Sequence, residues 1–261
     1  MPTTFFGWVL FLLNEYGDLF LQGTINTVII AITGTILGFV IGLLIAIART
    51  IPILKNDSSV KKILLKILHF ILGIYVEVVR GTPMIVQSMI VYYGALQYFN
   101  IDIPAMTAAI LIVSFNTGAY MAEIIRGGII SVDKGQTEGA YSIGMTHWQT
   151  MISVVLPQAV RNIIPSIGNE FVVNIKDSSV LNVISVAELF FMSKSAAGTY
   201  LKYFEVFFIT ACIYLVLTFT VTKILGLLEK YMDGPSEYII HGSQSNSSAV
   251  IHVHKNDGGE E

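Results

Sequence analysis

The stretch Glu138–Pro157 reads EGAYSIGMTHWQTMISVVLP and predicts two short helices joined by a tight turn. Gly144 supplies the break at which the first helix can end, because glycine accepts a positive φ angle. Thr146 suits the N-cap of the second helix, and Gln149 three residues later completes a capping box. Pro157 is expected to end or bend that second helix, since proline has no amide hydrogen to donate. Two short helices held between longer ones form a lever that can dock on a soluble partner and move its flanks.

The composition of the whole chain indicates a lipid bilayer as its solvent. Of the 261 residues, 54% are hydrophobic and only 13% are charged, with a mean hydropathy of +0.70. Soluble domains carry about 25% charged residues, so this chain cannot cover a water-facing surface. A net charge of −3 gives nucleic acid no electrostatic attraction. The single cysteine, Cys212, excludes an internal disulfide framework and a cysteine metal cluster.

Five stretches are apolar and long enough to cross the hydrocarbon, which takes roughly 20 residues. We therefore predict an all-α membrane protein with about five transmembrane helices. Residues 1–22 are interpreted as an interfacial or re-entrant segment rather than a further span, and they lack the basic residues of a cleavable signal. Residues 233–261 are predicted to form a disordered polar tail. The transmembrane domain covers residues 23–232, with spans at Ile25–Ala48, Phe70–Phe99, Ala105–Ile125, Ile164–Phe191 and Phe204–Leu228.

The basic residues predict the orientation of these helices, because Lys and Arg concentrate on the cytoplasmic side of a membrane protein. Five lie between spans one and two and three between spans three and four, but none between spans two and three. This bias puts the N-terminus outside, the C-terminus in the cytoplasm, and a long cytoplasmic loop at about residues 127–163. An odd number of spans without an internal repeat argues against the common secondary-transporter architectures.

The first span carries Gly34, Gly38 and Gly42 at four-residue intervals. Glycines at this spacing share one helix face and let a second helix approach closely. We predict a helix–helix contact on this face, near a subunit interface in one reading. The other reading is glycine that merely belongs to the ordinary composition of membrane helices.

The cytoplasmic loop resembles a motif of ABC importer permeases, E-A-A-x3-G-x9-I-x-L-P. The spacing is complete here, and the departures are Gly139 for alanine and Val154 for isoleucine. In that family the loop is the coupling helix that inserts into an ATPase subunit. The resemblance implies that the following residues lie at the contact with the ATPase: Glu138, Gly139, Ala140, Gly144, Leu156 and Pro157.

Other stretches resemble the branch of these permeases that takes up polar amino acids. Residues 79–87 contain its R-G-T-P-x-x-x-Q element, residues 118–129 resemble its third span, and residues 165–180 resemble the segment after its coupling loop. The resemblance covers residues 23–232 and implies a type I ABC importer permease of the bacterial inner membrane. Its implied partners are an ATPase dimer, an extracytoplasmic solute-binding protein and a second permease copy, identical or related.

The same resemblance implies that the chain is not an enzyme and binds no cofactor itself. The sequence contains no G-x-x-x-x-G-K-[ST] element with which to hold ATP phosphates. ATP and Mg²⁺ would then be bound by the partner ATPase.

Carboxylates inside the predicted spans need a physical reason, because a charge at mid-bilayer costs about 2.5–3.5 kcal/mol. Glu170 and Asp177 are seven residues apart, which places them about 20° apart on one helix face. In one reading they line a water-accessible cavity and contact the passing amino acid. In the other they pair with Lys176, with Arg80 or with the second subunit, and hold the bundle together.

Two further sets of residues also keep two readings each. Asn116 and Glu123 are again seven apart, and either line the substrate pathway or hold the bundle. The run Arg80, Gly81, Thr82 and Pro83 either forms a hinge for alternating access or simply begins the second span, with Arg80 reaching to the headgroups.

Two rival functions make different predictions. An ion-gradient-driven secondary transporter would use Glu170 and Asp177 as ion or proton sites, but it leaves the coupling loop without a role. A membrane scaffold without transport activity predicts that the buried charges can be lost without consequence. The substrate stays open, since acidic residues suit a cationic amino acid while glutamine or another zwitterion also fits.

Overall fold

The computed structural model describes residues 2–51, 53, 58–233, 237–241 and 250–254. Helices dominate the described residues, and α1, α4 and α7 pack on one another in the centre. In chain order the elements are α1 (Phe5–Thr50), α2 (Ser59–Gly81), α3 (Met84–Phe99), α4 (Ala105–Ile130), α5 (Lys134–Ser142), α6 (His147–Thr150), a π-helical turn (Met151–Val155), α7 (Leu156–Asp177), a 3₁₀ helix (Ser178–Ile184), α8 (Leu189–Tyr200), α9 (Tyr203–Asp233), β1 (Glu237–His241) and β2 (Val250–His254).

Helix α1 is much longer than the first predicted span. Its 46 residues would extend about 69 Å if straight, more than twice the thickness of the hydrocarbon. Tyr16 departs from helical dihedral angles, with φ −115° and ψ 15°, so the helix bends there. The segment that we interpreted as a separate lead-in is thus helical and continuous with the first span. Trp8 and Leu12 explain this, because both are buried in a cluster with α8 and α9.

The glycine face of α1 packs against α4 of the same chain. A Cβ atom added to Gly38 would lie 2.7 Å from Cβ of Thr117, and one added to Gly42 would lie 2.8 Å from the amide nitrogen of Ala122. Real Cβ atoms do not approach other atoms that closely, so only glycine permits this separation of the two backbones. The predicted packing face is confirmed, and its partner is a helix within the chain.

Among the described residues, three helices are individually long and apolar enough to cross a membrane, namely α1, α4 and residues Tyr203–Leu228 of α9. A fourth candidate is the pair His147–Ile184 and Leu189–Tyr200, whose axes differ by 56°. This bent pair takes the place of the predicted continuous fourth span, because the chain tightens to a 3₁₀ helix and Ser185 then adopts a φ of 61°. The predicted second span is divided into α2 and α3 around Thr82 and Pro83.

Ten residues of the tail form strands β1 and β2, which pair in antiparallel register with Glu237 opposite His254. The prediction of a disordered tail does not hold for these residues. Both strands are rich in isoleucine, valine or tyrosine, which favour extended backbone. The other residues after Asp233 lie outside the described residues.

Candidate transport cavity and coupling loop

A cleft of about 530 Å³ lies between the end of α2, the start of α3, the middle of α4 and α7. It is open on one side, where Arg80 and Asp177 are both exposed. Most of the residues that the sequence indicated within the spans meet here. The cleft is lined by seven of them, Arg80, Gly81, Thr82, Pro83, Asn116, Glu170 and Asp177, together with Met84, Tyr120, Val173 and Asn174.

The break between α2 and α3 forms one wall of the cleft. Pro83 cannot donate a backbone hydrogen bond, so helical bonding stops there and carbonyl groups at the end of α2 lose their partners. Gln87 compensates, because its Nε2 donates to the carbonyl oxygens of Val79 at 2.7 Å and Thr82 at 2.9 Å. Its Oε1 in turn accepts from Nδ2 of Asn116 at 3.0 Å, which ties the break to α4.

Arg80 turns towards the cleft rather than only towards the membrane surface. Its guanidinium carbon lies 5.4 Å from the centroid of the Tyr120 ring on α4. A cation at this distance over an aromatic face is attracted to it, which orients the guanidinium. The cleft therefore contains one positively charged group in a defined position.

Helix α7 presents Glu170, Asn174 and Asp177 on the face that lines the cleft. Asn174 is buried at the crossing of three helices, where its Oδ1 accepts from Thr117 at 3.1 Å and its Nδ2 donates to Thr35 at 2.9 Å. These bonds fix the rotation of α7 against α1 and α4. Neither Glu170 nor Asp177 forms an ion pair with any residue that the structure describes.

Glu123 lies outside the cleft, unlike its predicted companion Asn116. One of its carboxylate oxygens accepts from Arg49 at 2.7 Å, and the other accepts from Arg126 at 2.7 Å. A single carboxylate thus joins the end of α1 to the end of α4 through two guanidinium groups. These contacts fit the interpretation in which Glu123 holds the bundle together. They account for the charge of Glu123 without a substrate.

The predicted coupling loop folds into the expected two helices. Helix α5 ends at Ser142, and Gly144 follows with a φ of 85°. Thr146 and Gln149 form the predicted capping box at the start of α6. Of the residues assigned by resemblance, Ala140 is buried, while the exposed ones are Glu138, Gly139, Gly144, Leu156 and Pro157.

Pro157 does not end the second helix, which was one of the two outcomes that we expected. It occupies the first turn of α7, where a missing amide hydrogen is tolerated, and helical structure continues on both sides. The helix accommodates the proline ring by widening just before it, in the π-helical turn Met151–Val155. Leu156 and Pro157 consequently lie beyond this turn and separate from the α5–α6 part of the loop.

Large apolar side chains are exposed on and next to the coupling helices. Ile143 is 78% exposed, Trp148 73% and Ile152 59%. Side chains of this size gain by burial against a partner, and tryptophan in particular is common at the centre of protein interfaces.

Several residues of the site were missed by sequence reasoning. Asn174 could have been found, because it lies four residues after Glu170 and three before Asp177, which places the three side chains on one helix face. No pattern in the sequence indicated that Tyr120 lines the cleft. Glu188 was also missed, although it is fully buried, and its carboxylate accepts from the amides of Phe190 and Phe191 at the start of α8.

A bundle of long apolar helices around a charged cleft, with an exposed helical loop beside it, defines a multi-pass membrane transport protein. Residues 62–234 match the profile of the family described as binding-protein-dependent transport system inner membrane component. The chain belongs to this family, so it is the permease component of such a transport system and resides in the inner membrane.

Curated relatives agree with this assignment over most of their length. The glutamine transport system permease protein GlnP of Escherichia coli (strain K12) is 35% identical over 82% of this chain and 93% of its own. The L-cystine transport system permease protein TcyB of Bacillus subtilis (strain 168) is 38% identical over 76% of this chain and 82% of its own.

Solved structures show the same fold. A chain in the crystal structure of an amino acid ABC transporter with histidines has a TM-score of 0.77 and 38% identity, covering 88% of this chain and 100% of that one. An inward-facing structure of the MetNI methionine ABC transporter has a TM-score of 0.67, covering 84% of this chain and 98% of that one. At 16% identity, the second similarity concerns the fold alone.

Proposed function

We propose that this chain is the permease of an ATP-driven importer of polar amino acids. The cleft carries the proposal, because its volume of about 530 Å³ lies within the range of small-molecule sites. Arg80 can bind the carboxylate of an amino acid, while Glu170 and Asp177 can bind an ammonium group. The names of the relatives, which include glutamine and cystine permeases, support the same substrate class.

We propose that the coupling loop transmits movement driven by ATP from the ATPase subunit to the cleft. Trp148 and its exposed apolar neighbours are suited to a groove of a soluble ATPase subunit, and the chain has no phosphate-binding loop of its own. We therefore propose that an ATPase dimer binds ATP and Mg²⁺ and that this chain binds neither. Movement of α5 and α6 on ATP binding would then alternate the side to which the cleft opens.

Two further partners complete the proposed assembly. The cleft is open on one side, which a second permease copy, identical or related, can cover. A separate extracytoplasmic binding protein would deliver the amino acid, as the description of the family implies. The rival of an ion-gradient-driven transporter, which would use Glu170 and Asp177 as ion or proton sites, leaves the exposed apolar side chains of the coupling helices without a role.

The test is reconstitution of the chain in liposomes with the ATPase and binding protein from adjacent reading frames. We expect uptake of labelled amino acids that requires ATP and the binding protein, with glutamine and a cationic amino acid compared directly. Trp148→Ala should lose the ATPase during purification, whereas Tyr98→Ala, equally exposed on α3, should retain it. Uptake that follows an ion gradient without ATP would favour the secondary transporter instead.

A further inference from the structure

We propose that the π-helical turn Met151–Val155 is a register switch, through which the coupling helices α5 and α6 turn relative to α7. The proposal rests on the proposed function, because it concerns how motion driven by the ATPase reaches the cleft. It assigns a role to the segment that joins α6 to α7.

The turn contains one residue more than an α-helix would have. The amide of Leu156 donates to the carbonyl of Met151, five residues earlier. Directly before the turn, the amide of Thr150 donates to the carbonyl of Thr146, four residues earlier, as in an α-helix. A bond that spans five residues encloses a surplus residue, and isolated π turns of this kind occur mainly at functional sites.

Pro157 gives a local reason for the turn. In a regular α-helix its ring would press against the carbonyl oxygen of Ser153, which would also lack a donor. Widening the helix before the proline relieves that contact. Pro157 thereby places the surplus residue between the coupling helices and α7.

The side of the turn that leads to the cleft is fixed. Asn174 anchors α7 to α1 and α4 through its bonds to Thr35 and Thr117. Gly168 packs so closely on Leu225 of α9 that an added Cβ atom would lie 2.7 Å from a leucine methyl carbon. Rotation of α7 about its own axis would break both contacts.

The other side of the turn has room to move. A cavity of about 240 Å³ separates α5 and α6 from the end of α4, and Val132, Thr137 and Met151 are among its lining residues. Glu138 and Gly139 on α5 are exposed, and a Cβ atom on Gly139 would meet nothing within 4 Å. Ala140 and Thr150 are buried, but the cavity beside them gives the coupling helices space into which to shift.

Thr150, at the junction of α6 and the turn, is 1% exposed, and its hydroxyl has no protein hydrogen-bond partner in the part of the chain that the structure describes. Thr150 also lines the cavity beside the turn. A buried hydroxyl is more favourable with a hydrogen-bond partner than without one. A movement of α6 that gives this hydroxyl a protein partner would therefore be favoured.

Tightening the turn to α-helical bonding, with the helix bent at Pro157 to avoid the contact with Ser153, would move one flank relative to the other by up to one residue step, about 100° and 1.5 Å. Because α7 is anchored, the coupling helices take up this movement. In the opposite direction, a movement of α5 and α6 driven by the ATPase first changes the helical register at the turn. It then exerts force on the anchored helix α7 beside the cleft.

Deletion of Ser153 tests the proposal, because this exposed residue lies within the turn and its loss removes no buried side chain. If the turn holds a surplus residue, the variant folds without the turn as an α-helix bent at Pro157, retains the ATPase and hydrolyses ATP at the basal rate. Amino acid taken up per ATP hydrolysed should fall by about tenfold or more. Ser153→Ala keeps the length of the helix and should match the wild type.

A matched deletion distinguishes the turn from ordinary helix. Arg161 is also exposed but lies in the regular part of α7, so its removal should rotate the flanks out of register and prevent assembly with the ATPase. If the Ser153 deletion likewise fails to assemble, the residue is not surplus and the proposal is wrong. Normal uptake per ATP in the Ser153 deletion would also overturn it.

Thr150→Val provides an independent test without changing the length. Valine has nearly the same shape and removes the unsatisfied hydroxyl, so it should stabilise the present arrangement. We expect a raised melting temperature and a fall of about threefold in uptake per ATP; an unchanged ratio would contradict the switch. Failure of the proposed function would look different, because the wild type itself would then show no ATP-dependent uptake.

Discussion

The end of α4 and the cleft both hold acidic side chains within the helical bundle, but the two regions differ in the partners that surround those side chains. Near the end of α4, both carboxylate oxygens of Glu123 are in ion pairs with Arg49 and Arg126, so its charge is not available to a ligand. In the cleft, Glu170 and Asp177 face open space without an ion pair among the described residues. A carboxylate with its partner in the same chain holds helices together, while one without such a partner is available to a ligand.

The largest effect should follow from neutralising the cleft with the double substitution Glu170→Gln and Asp177→Asn. Each substitution replaces a charge-assisted hydrogen bond to an ammonium group by a neutral one, so ATP-dependent uptake should fall by about 10- to 100-fold. Stability should hardly change, because neither carboxylate bonds to another described residue. Uptake into liposomes and thermal unfolding of the purified protein measure the two quantities.

Glu123→Gln is the matched control for this experiment, since it removes one carboxylate from α4 without touching the cleft. It should leave the KM for the amino acid unchanged. The distinction between the two regions is wrong if the double cleft variant transports normally. It is also wrong if Glu123→Gln alone raises KM as strongly as the double cleft variant does.

The second largest effect concerns stability, which should fall when Glu123 is neutralised and not when the cleft carboxylates are. In Glu123→Gln the two guanidinium groups lose their shared anion and repel each other. The three side chains are partly exposed, so the free energy of unfolding should fall by only about 1–2 kcal/mol. Thermal or denaturant unfolding in detergent measures this. Glu77→Gln, an exposed carboxylate on α2 outside any described ion pair, should show no loss.

Periodicity in the sequence predicted the faces of the helices but not the partners on them. The same seven-residue spacing linked Glu170 with Asp177 and Asn116 with Glu123. The first pair shares the cleft, whereas the second pair is divided between the cleft and an ion-paired cluster. Arg49 decides this, and it comes from another helix 74 residues earlier, at a distance that no local pattern can report.

Local chemistry was predicted best where neighbours along the chain determine it. Gly144, Thr146 and Gln149 adopt the predicted turn and capping box, because a cap depends on residues within one helical turn. The effect of Pro157 was not predicted, since a proline can end a helix, bend it or be absorbed by a π turn. Packing of the flanking helices determines which of these occurs.

A third prediction concerns the neutral wall of the cleft. Gln87→Met keeps the size of the side chain but leaves the carbonyl groups of Val79 and Thr82 without their amide donor. The break is partly open to water, so the expected loss of stability is about 1 kcal/mol. Uptake should fall less than in the double cleft variant, because the charged groups remain. Gln97→Met, on the same helix and away from the cleft, is the control.

The smallest effect is expected for an acidic residue that has a single, more distant partner. Glu205 is 3.6 Å from the ammonium group of Lys202, and the two side chains are 14% and 34% exposed. This separation is beyond hydrogen-bonding distance, and a single pair of this kind contributes about 0.5 kcal/mol or less. Lys202 also lies over the ring of Trp8, 4.8 Å from its centroid, and Glu205→Gln leaves that contact in place. The variant should therefore unfold within about 1 °C of the wild type. A loss as large as that of Glu123→Gln would mean that the number of cations around a carboxylate does not determine its structural role, and the explanation offered for Glu123 would fail with it.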